Sequence, residues 1–181
     1  VANSPTGAIF VEGSGNDLSD IDAEGDVVIN GANTNVANTR STGGSVTVNE
    51  SVRDTVTFSG SAPDGQAVID GEAGTFATIQ DAVDNASADD TVVAGAGTFD
   101  ESVTIDVDGL TLESIDGETS TIAPTGATAV DIAGSDVTVT GFEIDATDRG
   151  VELDNSANGA TIENNTITNA SEQGFLTFGG A

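Results

Sequence analysis

Along the C-terminal two-thirds of the chain, apolar and polar residues alternate in short runs, and the runs recur. Val130 and Ile132 superpose on Val151 and Leu153 at an offset of 21 residues; Val137 and Val139 superpose on Ala160 and Ile162, and Ile144 on Ile167, at 23. Phe175 follows Val151 by 24, while Val103 and Ile105 precede Val130 and Ile132 by 27, as Leu110 and Leu112 precede Val137 and Val139. The variation falls in turns of Gly, Asp, Asn and Ser. Three short strands per unit of about 21 to 27 residues is the pattern of a solenoid whose units stack on one another. Period-two alternation sends Val137, Val139, Ile162 and Ile167 inward and Thr138, Thr161 and Thr166 outward. No helical period competes within these units, so the pattern predicts an all-β fold, a parallel β-helix. An antiparallel sandwich would not produce superposable units.

One helix is expected just before the repeats. In GTFATIQDAVDNASADD, Ile79, Ala82, Val83 and Ala86 form a single apolar stripe, which predicts a helix over about 76–86. Thr75 or Thr78 can cap it, and Thr78 with Asp81 has capping-box spacing. Such a helix would cover the open end of the solenoid core and hide strand edges. Upstream, 8–11, 27–29, 46–48, 56–58 and 67–69 read as strands between Gly/Asn/Ser-rich turns. The chain therefore divides into a β-rich region, 1–70, forming a small β-domain or irregular coils, and a parallel β-helix with its cap helix, 71–181, of about four to five coils.

The segment FATIQDAVDNASADDTVVAGAGTFDESVTIDVDGLTLESID resembles the N-terminal entry of right-handed parallel β-helix proteins of the pectin-lyase-like superfamily. That entry comprises a cap helix (here Phe76 to Ala86), an acidic turn (Ala88 to Asp90) and a strand (Thr91 to Ala94). A Gly-Thr-Phe turn (Gly97 to Phe99) and a Glu-Ser-Val-Thr-Ile strand (Glu101 to Ile105) follow. The resemblance spans roughly 74–181 and implies a fold rather than a function, since the superfamily holds esterases, lyases, hydrolases, adhesins and surface proteins.

Composition then narrows the chemistry. Three arginines, Arg40, Arg53 and Arg149, face 31 acids for a net charge of −28, and Lys, His, Cys, Met, Trp and Tyr are all absent. A nucleic-acid partner needs a basic footprint that this chain lacks. Thiol chemistry, disulfides and imidazole catalysis are excluded too. Disorder would call for few apolar residues, yet the chain is 36% hydrophobic and its acids are dispersed. A fold at −28 repels itself in dilute buffer, whereas at molar salt the screening length falls to roughly 3 Å. The Asp- and Thr-rich, lysine-free composition resembles proteins of halophilic archaea, and the opening GAIFVEGSGNDL resembles the start of their surface-layer glycoproteins. Loosening below roughly 0.5 M salt is the expectation.

The candidate sites are few. Asn49, Asn85, Asn164 and Asn169 head Asn-x-Ser/Thr sequons compatible with an exported glycoprotein. A turn asparagine at 164 or 165 can instead stack inside a β-helix and bond the neighbouring coil. Asp106 and Asp108, and the run Asp17, Asp20 and Asp22, place oxygens in or beside turns where Ca²⁺ is possible, although neither matches an EF-hand loop. No cofactor is required. Arg149 and the nearby Asp145 and Asp148 would be the base or carboxylate clamp of a lyase. An arginine is a poor base, and pairing with local acids is the simpler reading. Asp89 and Asp90 lack the His and Lys of the polygalacturonase-like motif set.

FLTFGGA begins a further unit, so the solenoid end is expected to be open. Either the chain is a piece of a longer surface protein, as its start at Val1 without Met also implies, or the open end pairs head-to-tail with another copy, a contact that makes a filament where it does not close into a ring. Assembly candidates are Ala8, Ile9, Phe10 and Val11 at one end and Phe175, Leu176 and Phe178 at the other. No run is long and apolar enough for a membrane span. The expected role is a non-enzymatic extracellular structural protein of the cell surface, a surface-layer or filament subunit. Its partners would be itself, in a homopolymer, or other surface proteins. The alternatives are a glycan-binding module and a polysaccharide lyase or hydrolase.

Overall fold

Short strands stacked in register, coil on coil, account for nearly all of the regular structure. The computed structural model, which describes residues 8–115 and 118–178, is a parallel β-solenoid. The first stack holds β1 (Ile9–Val11), β2 (Asp17–Ser19), β3 (Asp22–Ala23), β4 (Val27–Ile29), β5 (Asn35–Ala37), β6 (Arg40–Ser41), β7 (Val46–Val48) and β8 (Thr57–Ser59). They pair as three parallel columns, β1-β4-β7, β2-β5-β8 and β3-β6.

After β9 (Ala67–Ile69) and α1 (Ile79–Asn85), a second stack begins with β10 (Thr91–Ala94), β11 (Gly97–Phe99) and β12 (Val103–Ile105). Its next coil is β13 (Thr111–Ser114), β14 (Ser120–Ile122) and β15 (Val130–Ile132). Then come β16 (Thr138–Thr140), β17 (Glu143–Asp145) and β18 (Arg149–Leu153), and finally β19 (Thr161–Glu163), β20 (Thr166–Thr168) and β21 (Gln173–Thr177). The columns run β9-β10-β13-β16-β19, β11-β14-β17-β20 and β12-β15-β18-β21, parallel except where β9 meets β10. Counted with the turn through β9 and α1, the chain makes about eight turns.

The repeat register read from the sequence is the one observed. Val130 lies beside Val151, Val139 beside Ile162, Ile144 beside Ile167 and Val151 beside Phe175. The expected strands at 27–29, 46–48 and 67–69 fall where predicted, and the one at 56–58 forms one residue later. Four others, β2, β3, β5 and β6, were not anticipated, because each is only two or three residues long and turns a single residue inward.

The helix is shorter than the expected 76–86. Phe76 is extended and exchanges backbone hydrogen bonds with Ala67 at 2.8 and 2.9 Å, so helix starts only after Thr78. Thr78 Oγ1 accepts from the Asp81 N–H at 3.0 Å. The carboxylate of Glu101 accepts the Ile79 and Gln80 N–H groups at 2.7 and 3.0 Å. A charge-bearing acceptor at exposed helix N–H groups is favourable. Ile79, Ala82 and Val83 are buried in the core of the second stack. The Gln80 amide pairs with both backbone groups of Thr104, donating to its C=O at 3.1 Å and accepting from its N–H at 2.7 Å. A side chain thus supplies what a neighbouring strand would supply to β12.

Two cores result. The second stack encloses Ile105, Leu112, Ile132, Val139, Phe142 and Ile144 among others, and the first encloses Val27, Ile29, Val36 and Phe58. The β9–β10 pair serves both. Ala67, Ile69, Val92 and Ala94 face the second core, while Val68 and Val93, with Ile115, face the first. A strand buried on both faces reads as a continuous apolar run, as Thr-Val-Val-Ala does.

Candidate functional site

Two surfaces stand out among the described residues: the first and last coils and the polar walls that join coil to coil. At the first end, β1 is the outer strand of its column, as β2 and β3 are of theirs. Of the residues expected there, Ala8 is exposed, Ile9 is half-buried and Val11 is buried against the first core, so only Phe10, 64% exposed, projects outward. Ile9, Leu18 and Ile21 are the partly buried apolar residues of this end coil. At the other end β19, β20 and β21 are outermost in their columns. Phe175 continues the inward column of Val103, Val130 and Val151 and is 48% exposed. Ile162 and Ile167 pack partly beneath the same end. Leu176 continues the outward column of Thr104, Asp131 and Glu152 and therefore lies on the wall, and Phe178 is exposed just beyond β21.

The walls follow a consistent rule. In the parallel register each acid lies beside a neutral or cationic residue. Glu143 sits between Thr121 and Thr166, Thr140 between Glu113 and Glu163, Asp17 beside Asn35 and Asp22 beside Arg40. Amides donate across the coils: Asn35 to Asp17 at 2.6 Å, Asn38 to Asp20 at 3.2 Å and Asn169 to Asp145 at 2.5 Å. At the corner before β10, β13, β16 and β19, the residues Asp89, Gly109, Asp136 and Gly159 all have φ between 57° and 72°. A Cβ at Gly109 or Gly159 would collide with the Asp89 or Asp136 carboxylate stacked on it, so aspartate and glycine alternate. Stacked carboxylates would repel and would have no proton to share.

One described register pair breaks the rule. Asp131 lies directly beside Glu152, and its Oδ1 is buried without a hydrogen bond. Burial first, then the charges of Asp154 and Glu152, push the Asp131 carboxyl above the usual range. Glu152 is held by Arg149 at 3.3 Å and by Thr128 at 3.1 Å, and Arg149 also grips Glu172 at 2.8 Å. Burial opposes the charge on Arg149, but Glu172 and Glu152 raise its pKa regardless. Arg149 thus begins β18, clamped by two carboxylates, and its partners are not Asp145 and Asp148. Asp145 instead accepts from Asn169.

The remaining candidates fall in separate places. Asp106 and Asp108 are both exposed in the connection after β12, and Asp108 Oδ1 accepts from the Ser135 N–H of the next coil at 2.8 Å. Among the described residues no group of three or more acids is arranged to hold a metal ion. Asn164 and Asn165 both reach the neighbouring coil, Asn164 donating to the Thr140 hydroxyl at 3.4 Å and Asn165 bonding backbone. Asn165 donates to the Val139 carbonyl at 2.8 Å and accepts from the Phe142 N–H at 2.9 Å, while Asn164 is exposed with φ 55°. Asn49, Asn85 and Asn169 are exposed as well. Asn49 Oδ1 accepts from both the N–H and the hydroxyl of Ser51 in its sequon, and Asn85 donates back to the Asp81 carbonyl at 2.8 Å.

Sequence reasoning missed a groove of about 360 Å³ where the two stacks meet, walled by Asp20, Asp22, Asn38 and Arg40 with Ile21 and Ile115. Arg40 bonds Asp22 at 2.8 Å and holds its carboxyl below the usual range. Only tertiary packing brings Ile115 to these residues, so no local signal could have shown it. Comparison with known family models, curated proteins and solved structures finds no match.

Proposed function

We propose that this chain is a non-enzymatic structural protein of the halophilic cell surface that associates through the open ends of its solenoid. On this reading the solenoid is right-handed and akin to the pectin-lyase-like β-helices, with α1 as its cap, and the sequons carry glycans outside the cell. The observation that carries it is the pair of end coils. Each leaves a set of outer strand edges and apolar side chains uncovered among the described residues. Exposed parallel edges are templates for another strand. Arg149, the cation of the second stack, is committed to two carboxylates, which favours the structural reading over a lyase. Among the described residues no helix is long and apolar enough to cross a membrane.

Sedimentation velocity across protein concentration in molar salt tests it. Growth to species beyond the monomer is the expected outcome, and a strictly monomeric chain at every salt would sink the assembly reading. The groove favours a second reading, a glycan-binding module, since its amide, guanidinium and carboxylates over Ile21 and Ile115 suit a polyhydroxylated ligand. Binding on a glycan array in high salt, lost in Arg40→Ala, would establish that reading; silence on the array would remove it.

A further inference from the structure

We infer that Asn49 is the sequon this fold presents for glycan transfer, and that the folded chain withholds Asn85, Asn164 and Asn169. The inference rests on the glycoprotein reading above and narrows it from four positions to one. The bond at issue joins a sugar to the side-chain nitrogen of asparagine. All four asparagines are exposed, so exposure does not separate them. Hydrogen bonding does.

Asn49 lies in the internal connection between β7 and β8, and its backbone is fixed there. Its N–H donates to the Ile29 carbonyl at 2.9 Å, and its C=O accepts from the Val52 N–H at 3.0 Å. Its Oδ1 accepts from the N–H and the hydroxyl of Ser51 at 3.0 and 2.8 Å, an Asx turn closed by the sequon itself. These two donors occupy both lone pairs of the oxygen. They also draw charge from the amide, which makes an Nδ2 proton easier to remove. Nδ2 itself has no hydrogen bond among the described residues, and Glu50 and Ser51 are exposed beside it.

The other sequons are tied into the fold. Asn85 donates to the Asp81 carbonyl at 2.8 Å, and the Ser87 N–H is taken by Asp90 at 2.7 Å. Asn164 donates to the Thr140 hydroxyl at 3.4 Å, and the Thr166 N–H is taken by the Phe142 carbonyl at 2.8 Å. Asn169 donates to Asp145 at 2.5 Å, and the Ser171 hydroxyl donates to the Thr147 carbonyl at 2.7 Å. Each therefore has its nitrogen engaged, together with one donor of the residue two places on. Transfer needs the nitrogen to twist out of the amide plane, and an N–H held by the fold resists that motion.

The donor is an oligosaccharide carried on a polyprenyl diphosphate. Nδ2 of Asn49 attacks the anomeric carbon, and the bond from that carbon to the phosphate oxygen breaks. The diphosphate leaves with the electron pair, and a base of the transferase takes the Nδ2 proton.

The test is transfer onto the purified, unglycosylated chain folded in molar salt, by an oligosaccharyltransferase that accepts Asn-x-Ser/Thr. Mass spectrometry of proteolytic fragments reads the occupancy of each site, and four synthetic peptides, one per sequon, give the rates without the fold. After correction for its peptide, Asn49 should exceed each of the other sites by at least about fivefold, the factor that one net hydrogen bond carries. Asn49→Gln should leave the folded chain nearly unmodified with its circular dichroism unchanged. Equal corrected occupancy at Asn85, Asn164 or Asn169, or a bare Asn49 in the folded chain when its peptide accepts, overturns the choice of Asn49 and leaves the glycoprotein reading standing. Protein exported by a glycosylating halophilic host and recovered with all four sequons bare overturns that reading, and this inference with it.

Discussion

The two stacks share one architecture and differ in what fills them. In the second stack the interior is aliphatic and aromatic, and Ser120 is its one fully buried polar residue among those described. The first stack buries Thr34, Thr39, Ser41 and Ser61 alongside its valines. Each hydroxyl there finds a carbonyl: Thr34 bonds Gly31 at 2.8 Å, Thr39 bonds Ala37 at 3.1 Å, Ser41 bonds Gly25 at 3.0 Å and Ser61 bonds Val36 at 3.4 Å. The first stack also makes coils that are shorter on the whole, 18 to 22 residues against 20 to 27 in the second. A narrow coil has room for a hydroxyl that ties down its own turn, and a wide one has to be filled with methyl groups. Solenoid stacking therefore accommodates two interiors, the polar one with each of its buried hydroxyls bonded to a carbonyl.

The largest effect should come from emptying either core. Phe142→Ala and Phe58→Ala remove fully buried rings and should each cost about 3–5 kcal/mol in urea unfolding. Since β9 and β10 face both cores, either variant should lower a single shared transition. Two separated transitions would show that the stacks are independent.

Next is the inward amide of the second stack. Asn165→Ala orphans the Val139 carbonyl and the Phe142 N–H and should cost about 2 kcal/mol. Asn164→Ala, at the exposed neighbour, should cost under about 1 kcal/mol by the same assay. Equal losses would mean that the two asparagines share the load.

For the polar interior, Thr34→Val keeps the shape and removes a buried hydrogen bond, at a cost of about 1 kcal/mol. A stabilised Thr34→Val would show that the first stack gains nothing from its hydroxyls.

The smallest effect should be a gain. Asp131 has its native pKa raised above its unfolded value, so the native state binds the proton more readily and stability falls as pH climbs through that interval. Asp131→Asn should then stabilise the protein by about 0.5 kcal/mol at neutral pH, with the gain vanishing below the ordinary carboxyl range. Melting curves at neutral and acid pH decide it, and a destabilised Asp131→Asn at neutral pH would contradict the like-charge reading of the Asp131–Glu152 pair.

The second stack was legible because its inward positions are Val, Ile and Leu, residues that announce a two-residue period. Register could be read off as offsets between like pairs, and the observed partners match them. The first stack hid β2, β3, β5 and β6 for a physical reason. Asp-Leu-Ser, Asp-Ala, Asn-Val-Ala and Arg-Ser each turn one residue inward, Leu18, Ala23, Val36 and Ser41, too few for a two-residue period to show. The 18-residue spacing of Asp17, Asp20 and Asp22 with Asn35, Asn38 and Arg40 was the available signal. The helix boundary was misread because Phe76 belongs to the apolar pattern yet is drawn into extended pairing with Ala67.

The sequence by itself determined the coil period, the inward columns of the second stack and the acidity of every outer wall. Those properties live in residue type and spacing, which a stacked parallel repeat copies directly into space. Tertiary structure alone decided that β9 and β10 serve two cores, that Glu101 and Gln80 anchor α1 to β12, and that Ile115 joins the core of the first stack. Each depends on which distant backbone arrives beside a side chain, and buried hydrogen bonds and charges take their meaning from that neighbour.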